Sequence, residues 1–440
     1  MLRAMTRSYE SWGRYPQVTQ EVLRIASPDS PLPIPSDGAS VLPYGLGRSY
    51  GDSCLNGGNA IIDTAPLNNF VSFDDETGVL RAEAGVSLAT ILEVIVPRGW
   101  FLPVTPGTKF VTLGGAIAND IHGKNHHVAG TFGRHVRAFG LLRSDGSRLI
   151  CSPDQNTELF NATIGGLGLT GLIVWVEIQL HKVPGPFLHT ATIKFRNLDE
   201  FFDVSAENDS TFEYNVSWVD CTSQGDNLGR GLFMAGNFSE QRKPLPKGGL
   251  NLPFPCNAPS WLLNPLSMKA FNFAYYNKQR ASRVDALTHY NPFFYPLDAI
   301  LNWNRMYGRR GFFQYQLVVP FDKDRSIIKD IFKIITASGR ASFLAVLKTF
   351  GDLPSPGLLS FPRAGVTLAL DFANDGAPTL ALMERLDKVV LASGGALYPG
   401  KDARMSPEMF AASFPRAKEF TQYIDPQFSS SFWRRIHGAS

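Results

Sequence analysis

The chain has 440 residues with a formal net charge of +3, 44% hydrophobic and 18% charged residues. That length predicts roughly two or three domains around a sizeable core, while the balanced charge excludes a general nucleic-acid binder and the ordinary apolar content excludes intrinsic disorder. Cys54, Cys151, Cys221 and Cys256 are dispersed with no C-x-x-C, which argues against a local structural zinc site and for a reducing, cytoplasmic compartment.

Residues 1–16 show no apolar signal-peptide core, and no uncharged apolar run reaches the roughly 18 residues of a membrane span. Residues 1–171 hold 22 of the 40 glycines, so the front of the chain is expected to be rich in turns and in backbone able to wrap a ligand closely. Strands are predicted at 40–43, 60–63 and 79–84. Ser87 reads as a helix N-cap, with Leu88, Ile91, Leu92 and Ile95 at helical spacing and Pro97 ending the run. Residues 136–151 predict a hairpin turning at Ser144-Asp145-Gly146, and 172–181 alternates as a half-buried strand. Val183-Pro184-Gly185-Pro186 marks a boundary. Beyond it come strands at 190–195, 213–219, 313–319 and 366–372, and helices at 322–338 and 378–393, the first with apolar Ile327, Ile328, Ile331 and Ile335. The mixture is α+β rather than a regular βα alternation.

Residues 241–283 carry seven Lys or Arg, no acid and six aromatics (Phe254, Trp261, Phe271, Phe273, Tyr275 and Tyr276). Pro253, Pro255, Pro259 and Pro265 argue against a spanning helix. This basic, aromatic composition with little regular structure suits a surface that meets lipid head groups, against the plainer reading of a loop packing its aromatics on its own domain.

Three stretches carry chemistry. Gly166-Leu167-Gly168-Leu169-Thr170-Gly171 has the G-x-G-x-x-G form but leads into a strand, not a helix, and so fails as a nicotinamide-dinucleotide site. The loop from Gly45 to Asp52 follows a strand and can present successive N–H groups to a pyrophosphate, or serve only as a turn. After Pro106-Gly107-Thr108, the small residues Gly114, Gly115, Ala116 and Ala118 let a planar group or diphosphate approach the backbone, and His122 and Lys124 follow directly. His122 and His126 have metal-pair spacing, but Gly123 breaks helical continuity and no H-E-x-x-H or nearby Cys supports it, so no metal is expected. For His126 and His127 structural and functional roles both stand.

Together with Gly165 to Gly171, the runs Gly45 to Asp52 and Gly107 to His127 resemble the PCMH-type flavin-binding domain of the vanillyl-alcohol-oxidase family. Asp120-Ile121-His122-Gly123-Lys124-Asn125-His126-His127 is similar to the branch of that family that oxidises decaprenylphosphoryl ribose. The similarity continues through Phe294-Tyr295-Pro296-Leu297-Asp298, Trp303-Asn304-Arg305, Gln314-Tyr315-Gln316, Leu359-Ser360-Phe361-Pro362 and the run from Leu397 to Arg404, and so covers nearly the whole chain.

The resemblance implies a two-subdomain FAD-binding domain formed by residues 1–183 and 396–440, with an inserted substrate domain at 184–395 on a mainly antiparallel sheet. It places FAD against Gly45, Leu46, Gly47, Arg48, Ser49, Tyr50, Gly51, Asp52, Gly107, Thr112, Gly114, Gly115, Asn119, His122, Ile173 and Tyr398. Arg48 stands where many relatives carry a flavin-tethering histidine, so the FAD is expected to be non-covalent. Lys124, Gln314, Gln316, Lys348 and Thr367 fall on the substrate side, and Lys401 at the reacting hydroxyl. In that branch a Cys, the target of covalent inhibitors, takes the place of Ala369, and an Asn that of Thr367. The first departure bears on thiol-directed inhibition rather than on the redox chemistry; the second bears on substrate preference.

The implied reaction oxidises the 2'-hydroxyl of a polyprenylphosphoryl pentose to a ketone, the first half of a ribose-to-arabinose epimerisation for cell-envelope glycans, with an NADH-dependent keto-sugar reductase as partner. Lys401 is the first candidate base, if burial lowers its pKa, and His122 the second. Lys124 and Lys348 can hold a phosphate as point charges, and Gln314 and Gln316, two apart on a strand, share one face. Taken alone, Lys124 and Lys348 read as solvated surface groups, the Gln pair as a polar sheet face and Tyr398 equally as core or as a cofactor contact. An oxidase or dehydrogenase of a soluble sugar, polyol or aldonolactone is the alternative, and a catalytically silent lipid-glycan or metal-binding protein the third reading. The basic, aromatic 241–283 stretch favours the lipid-linked substrate and a peripheral position on the inner face of the plasma membrane.

Overall fold

The computed structural model describes residues 9–244, 252–259 and 262–438. Its front part holds a parallel and an antiparallel sheet, together with a two-stranded pairing of Trp100–Phe101 with His181–Lys182. Ala60–Asp63 lies at the centre of a three-stranded parallel sheet between Glu21–Arg24 and Val41–Tyr44. All four of its residues are buried, as a parallel strand covered on both faces requires. A five-stranded antiparallel sheet follows, in the order Phe70–Phe73, Val79–Glu83, Leu172–Gln179, Val136–Leu142, Arg148–Cys151. The helix Leu88–Ile95 forms as its periodicity predicts. The Ser87 side chain accepts from the Thr90 N–H, and Leu88, Ile91, Leu92 and Ile95 pack into the core beneath this sheet. Pro97 falls in the turn Val96–Arg98, which ends at Gly99 with φ +76°.

The rest of the chain is organised by an eight-stranded antiparallel sheet, in the order Arg283–His289, Phe187–Phe195, Gly231–Ser239, Tyr214–Val219, Ala345–Phe350, Gly365–Ala373, Phe312–Val319, Ala396–Leu397. The helices Leu198–Asn208, Ser326–Ala337 and Ala377–Ala392 contribute Phe201, Ile328, Ile331, Phe332, Ile335, Leu382 and Leu386 to a core shared with Phe313, Tyr315, Leu317, Leu368 and Leu370 of the sheet. The helix predicted from 322 begins at Ser326 because the Asp322 carboxylate accepts from the Ser326 N–H and hydroxyl, at 2.6 and 3.0 Å.

After the edge strand Ala396–Leu397 the chain returns to the front sheets. Phe428 bridges to Val41, the Gly57 N–H donates to Ser431 Oγ at 2.8 Å, and Arg435 pairs with Asp52 at 2.8 Å and Asp402 at 3.0 Å.

The region 241–283 is more regular than its composition suggests. Pro265–Asn277 is a helix with an Asn264–Ser267 capping box, and Arg283–His289 is a strand. Pro265 sits in the first turn, where its missing N–H would be unpaired anyway. Lys247, Trp261 and the rest of 245–251 and 260–261 lie outside the described residues. Leu198–Asn208, Gly231–Ser239 and Ala345–Phe350 were not anticipated from the sequence. Among the described residues no helix is long and apolar enough to cross a membrane.

Candidate active site

A cavity of about 870 Å³ lies between the front loops and the open face of the eight-stranded sheet. Gly45, Leu46, Gly47, Arg48, Ser49 and Tyr50 line it, with Gly107, Thr112, Gly114, Gly115, Asn119, His122, Lys124 and Ile173. From the other side come Gln314, Gln316, Lys348, Thr367, Ala369, Tyr398 and Lys401. Gly51 and Asp52 lie off the cavity. A Cβ at Gly51 would fall within 1.7 Å of the Asp402 carbonyl, and Asp52 is buried against Arg435.

The sheet's register explains the far wall. Gln314 lies opposite Asp371, Gln316 opposite Ala369, and Lys348 opposite Thr367. Side chains alternate along a strand, so 314 and 316, 367, 369 and 371, and 346 and 348 share one face. At its inner end Gln314 Nε2 donates to Asp371 Oδ1 at 2.6 Å, leaving Asp371 Oδ2 without a hydrogen-bond partner. Burial pushes the Asp371 carboxyl up to about 7, with Gln314 and Lys401 opposing. Burial lowers the Lys401 ammonium to about 8, with Asp371 pulling it back up. Lys401 Nζ also stands 5.7 Å from the Tyr50 ring centroid.

Gln316 Nε2 reaches both His122 Nε2 at 2.9 Å and Thr367 Oγ1 at 3.2 Å, while the Thr367 hydroxyl donates to the Leu317 carbonyl at 2.8 Å. Gln316 is thus the donor to both, which fixes His122 as the neutral Nδ1–H tautomer with its Nε2 lone pair in use. Burial, then the nearby Lys401 and Lys348, hold His122 well below the ordinary imidazole value. Its ring packs among Phe350, Tyr398 and Phe361 at centroid distances of 5.0, 5.3 and 5.9 Å.

Two lysines flank this end. Lys348 is buried, donates to the Gly123 carbonyl, and is lowered well below the usual lysine value by burial and then by Lys124. Lys124 is lowered by burial to about 8, and its ammonium makes no salt bridge among the described residues. His126 is fully buried 4.4 Å from the Phe350 ring and held down to about 3 by burial, whereas His127 bonds the Phe212 carbonyl at 3.1 Å. Neither lines the cavity. Among the described residues no three His, Cys, Asp or Glu side chains group as a metal set. Away from the polar end the wall turns apolar, with Trp218, Leu263, Met268, Phe271, Trp303 and Phe343.

Residues 34–152 match the FAD binding domain family. The chain is 35% identical to the decaprenylphosphoryl-β-D-ribose oxidase of Mycolicibacterium smegmatis, an alignment that covers 98% of this chain and 97% of that protein. The chain belongs to the decaprenylphosphoryl-β-D-ribose oxidase family. It is also 32% identical to an uncharacterized protein of the mprA 5' region of Streptomyces coelicolor, over 80% of this chain and 100% of that one. The rat Delta(24)-sterol reductase shares 31% identity over only 26% of this chain and 22% of its own.

As a member of the decaprenylphosphoryl-β-D-ribose oxidase family the chain is an FAD-dependent oxidoreductase. Its front wall suits the cofactor. The backbone N–H groups of Leu46, Gly47, Arg48 and Ser49 make no hydrogen bond among the described residues, the concave donor array a pyrophosphate needs. Gly47 has φ +63°, and a Cβ there would meet the Tyr44 hydroxyl at 2.0 Å, so only glycine serves. Thr112 caps the short helix Leu113–Ala118 through the Gly115 N–H, which holds Gly114 and Gly115 at the wall. The Tyr398 hydroxyl donates to the Asn119 carbonyl at 2.9 Å and turns its ring into the cavity.

Sequence reasoning missed Asp371. A signal was present: it is the lone acid in the apolar strand Gly365–Ala373, at the same parity as Thr367 and Ala369. Trp12 and Asp298 were also missed. Arg48 lies 3.9 Å over the Trp12 ring and donates to the Phe110 carbonyl at 3.1 Å, while Asp298 accepts from the Lys109 N–H at 2.9 Å.

Proposed function

We propose that this oxidoreductase takes a hydride from C2' and a proton from the 2'-hydroxyl of a polyprenylphosphoryl pentose, giving the 2'-keto sugar. An NADH-dependent reductase would complete the ribose-to-arabinose epimerisation. The observation that carries the reading is one continuous cavity that joins Gly-rich front loops, Lys401 beside the buried Asp371, the buried Lys348 with the half-buried Lys124, and an outward-running apolar wall. Similarity over nearly the full length to an oxidase named for decaprenylphosphoryl ribose supports the same substrate class.

Bound FAD supplies the acceptor for the hydride. We assign it to Gly45, Leu46, Gly47, Arg48, Ser49, Tyr50, Gly107, Thr112, Gly114, Gly115, Asn119, His122, Ile173 and Tyr398, held without a covalent bond because no histidine lies in 45–52. Gly51 and Asp52 act indirectly, by tying the loop to the C-terminal return. In this reading residues 1–183 and 396–440 form a two-subdomain FAD-binding domain around a substrate domain at 184–395. The contacts of Phe428, Ser431 and Arg435 with the front sheets support that division.

Neutral Lys401 takes the hydroxyl proton, and its lowered pKa supplies that neutral form near working pH. Asp371 sets the balance, since its carboxylate favours the ammonium once the proton has arrived. His122 is the weaker candidate because its Nε2 already accepts from Gln316. Gln314 and Gln316 line the wall that the sugar hydroxyls meet, Thr367 shapes the same wall, and Lys124 and Lys348 receive the phosphate.

Anaerobic mixing of the holoprotein with a panel of polyprenylphosphoryl pentoses, free sugars, polyols and aldonolactones tests this. Flavin bleaching fastest with a lipid-linked pentose is expected. Faster bleaching by a soluble sugar or lactone would replace the reading.

A further inference from the structure

A surface helix ordinarily turns its apolar side inward. Pro265–Asn277 buries only a narrow stripe and leaves large apolar side chains outside as well. Its buried positions are Met268, Asn272 and Tyr276, and Asn272 Nδ2 donates to Asp220 Oδ1 and the Ser342 carbonyl, both at 3.2 Å. Its outward positions include Leu266, 80% exposed, and Phe273, 59% exposed, with Phe271 at 46% and the preceding Leu262 at 39%. Single exposed apolar residues are ordinary, but a group of them on one anchored helix marks a contact surface.

The exposed charges on the helix and its immediate flanks are cationic, while Asp220 lies buried beneath it against Asn272. Residues 241–283 contain no acid. Lys269, Lys278 and Arg280 are exposed, and Lys278 Nζ lies 3.6 Å over the Tyr275 ring. Arg230 lies 4.7 Å over Tyr276 and 5.9 Å over Phe273, but its charge is spent on Asp220 at 3.0 Å. Arg283 is spent on Asp285 at 2.8 Å. Leu262, Leu263, Met268 and Phe271 also line the cavity, so the exposed face and the substrate space share a rim.

We propose that Pro265–Asn277 is an interfacial element that seats the protein on an anionic phospholipid surface, with the cavity opening toward the bilayer. Leu266 and Phe273 enter the head-group boundary, Lys269, Lys278 and Arg280 meet lipid phosphates, and a polyprenyl chain passes along Phe271 and Met268 without crossing water. A second copy of the chain fits less well, because a symmetric contact through this face would bring the same cations together. The proposal rests on the lipid-linked reading of the cavity.

The test is sedimentation of the holoprotein with vesicles of phosphatidylcholine alone and with added phosphatidylglycerol. Binding only to the phosphatidylglycerol vesicles, weakened by salt, is expected, and roughly tenfold weaker binding by Leu266→Ser/Phe273→Ser. That double variant should keep its flavin and be bleached normally by a short-chain, water-soluble substrate. Equal pelleting without phosphatidylglycerol, binding undiminished in the double variant, or a dimer that the double variant dissociates with no vesicle binding would each overturn the proposal. Intact vesicle binding with no bleaching by any polyprenylphosphoryl pentose would remove the substrate reading and leave the docking surface. Bleaching without vesicle binding would do the opposite.

Discussion

At the inner end of the cavity Gln314 reaches Asp371 at 2.6 Å and Gln316 reaches His122 at 2.9 Å, and each of these side chains is held by a strand or by the Gly-rich front loops. At the outer end Met268, Phe271 and Phe343 present almost only carbon, and Phe271 is 46% exposed. Chemistry that moves a proton needs fixed polar groups whose pKa values are set by burial. Holding a lipid chain needs area without direction. Substitutions at the inner end should therefore change the reaction, and those at the mouth should change which substrate arrives.

The largest effect is expected from Lys401→Ala, which should keep its FAD yet slow anaerobic bleaching by about a thousandfold, within the range for losing a general base. Bleaching at the normal rate would remove Lys401 from the reaction. Asp371→Asn should cost about a hundredfold and also change the pH profile. Bleaching should rise with pH through about 8 as Lys401 loses its proton. Because the Asp371 carboxylate raises Lys401, its replacement should move that limb to lower pH. A limb that stays in place or moves upward would separate the two groups.

Lys348→Met should raise KM for a phosphorylated substrate by about tenfold or more with little change in kcat, and leave a phosphate-free analogue unaffected. A loss confined to kcat would move Lys348 from anchoring to chemistry. The smallest effect belongs to the mouth. Phe271→Ala should reduce the preference for long over short lipid chains by about fivefold without altering the pH profile. If chain-length preference is unchanged, the lipid does not pass this side of the rim.

Local pattern carried much of this into view. The helix Leu88–Ile95 was readable because its cap, spacing and terminating proline are all local, and Gln314 and Gln316 as sharing one strand face, whereas their place at a site, like that of Thr367, came only from the family resemblance. Gly45 to Tyr50 combined a strand end with a turn composition, and the N–H groups of Leu46 to Ser49 within it make no hydrogen bond among the described residues. What stayed hidden depended on distance in the chain or on inverted pattern. Asp52 meets Arg435, 383 residues away, and no local spacing foretells that pairing. Pro265–Asn277 was obscured because Asn272 interrupts its inward stripe of Met268 and Tyr276 while Leu266 and Phe273 face out, which blurs the helical periodicity. Asp371 was passed over because a single acid in an apolar strand gains meaning only when Gln314 and Lys401 are brought beside it.

The central claim is that the hydride leaves C2' of a lipid-linked pentose. Stopped-flow bleaching of the anaerobic holoprotein with polyprenylphosphoryl ribose carrying deuterium at C2', and separately at C3', addresses it directly. The account predicts a primary isotope effect on flavin reduction from the C2' label and none from the C3' label. An isotope effect from C3' alone, or a flavin that this substrate does not bleach, would contradict it.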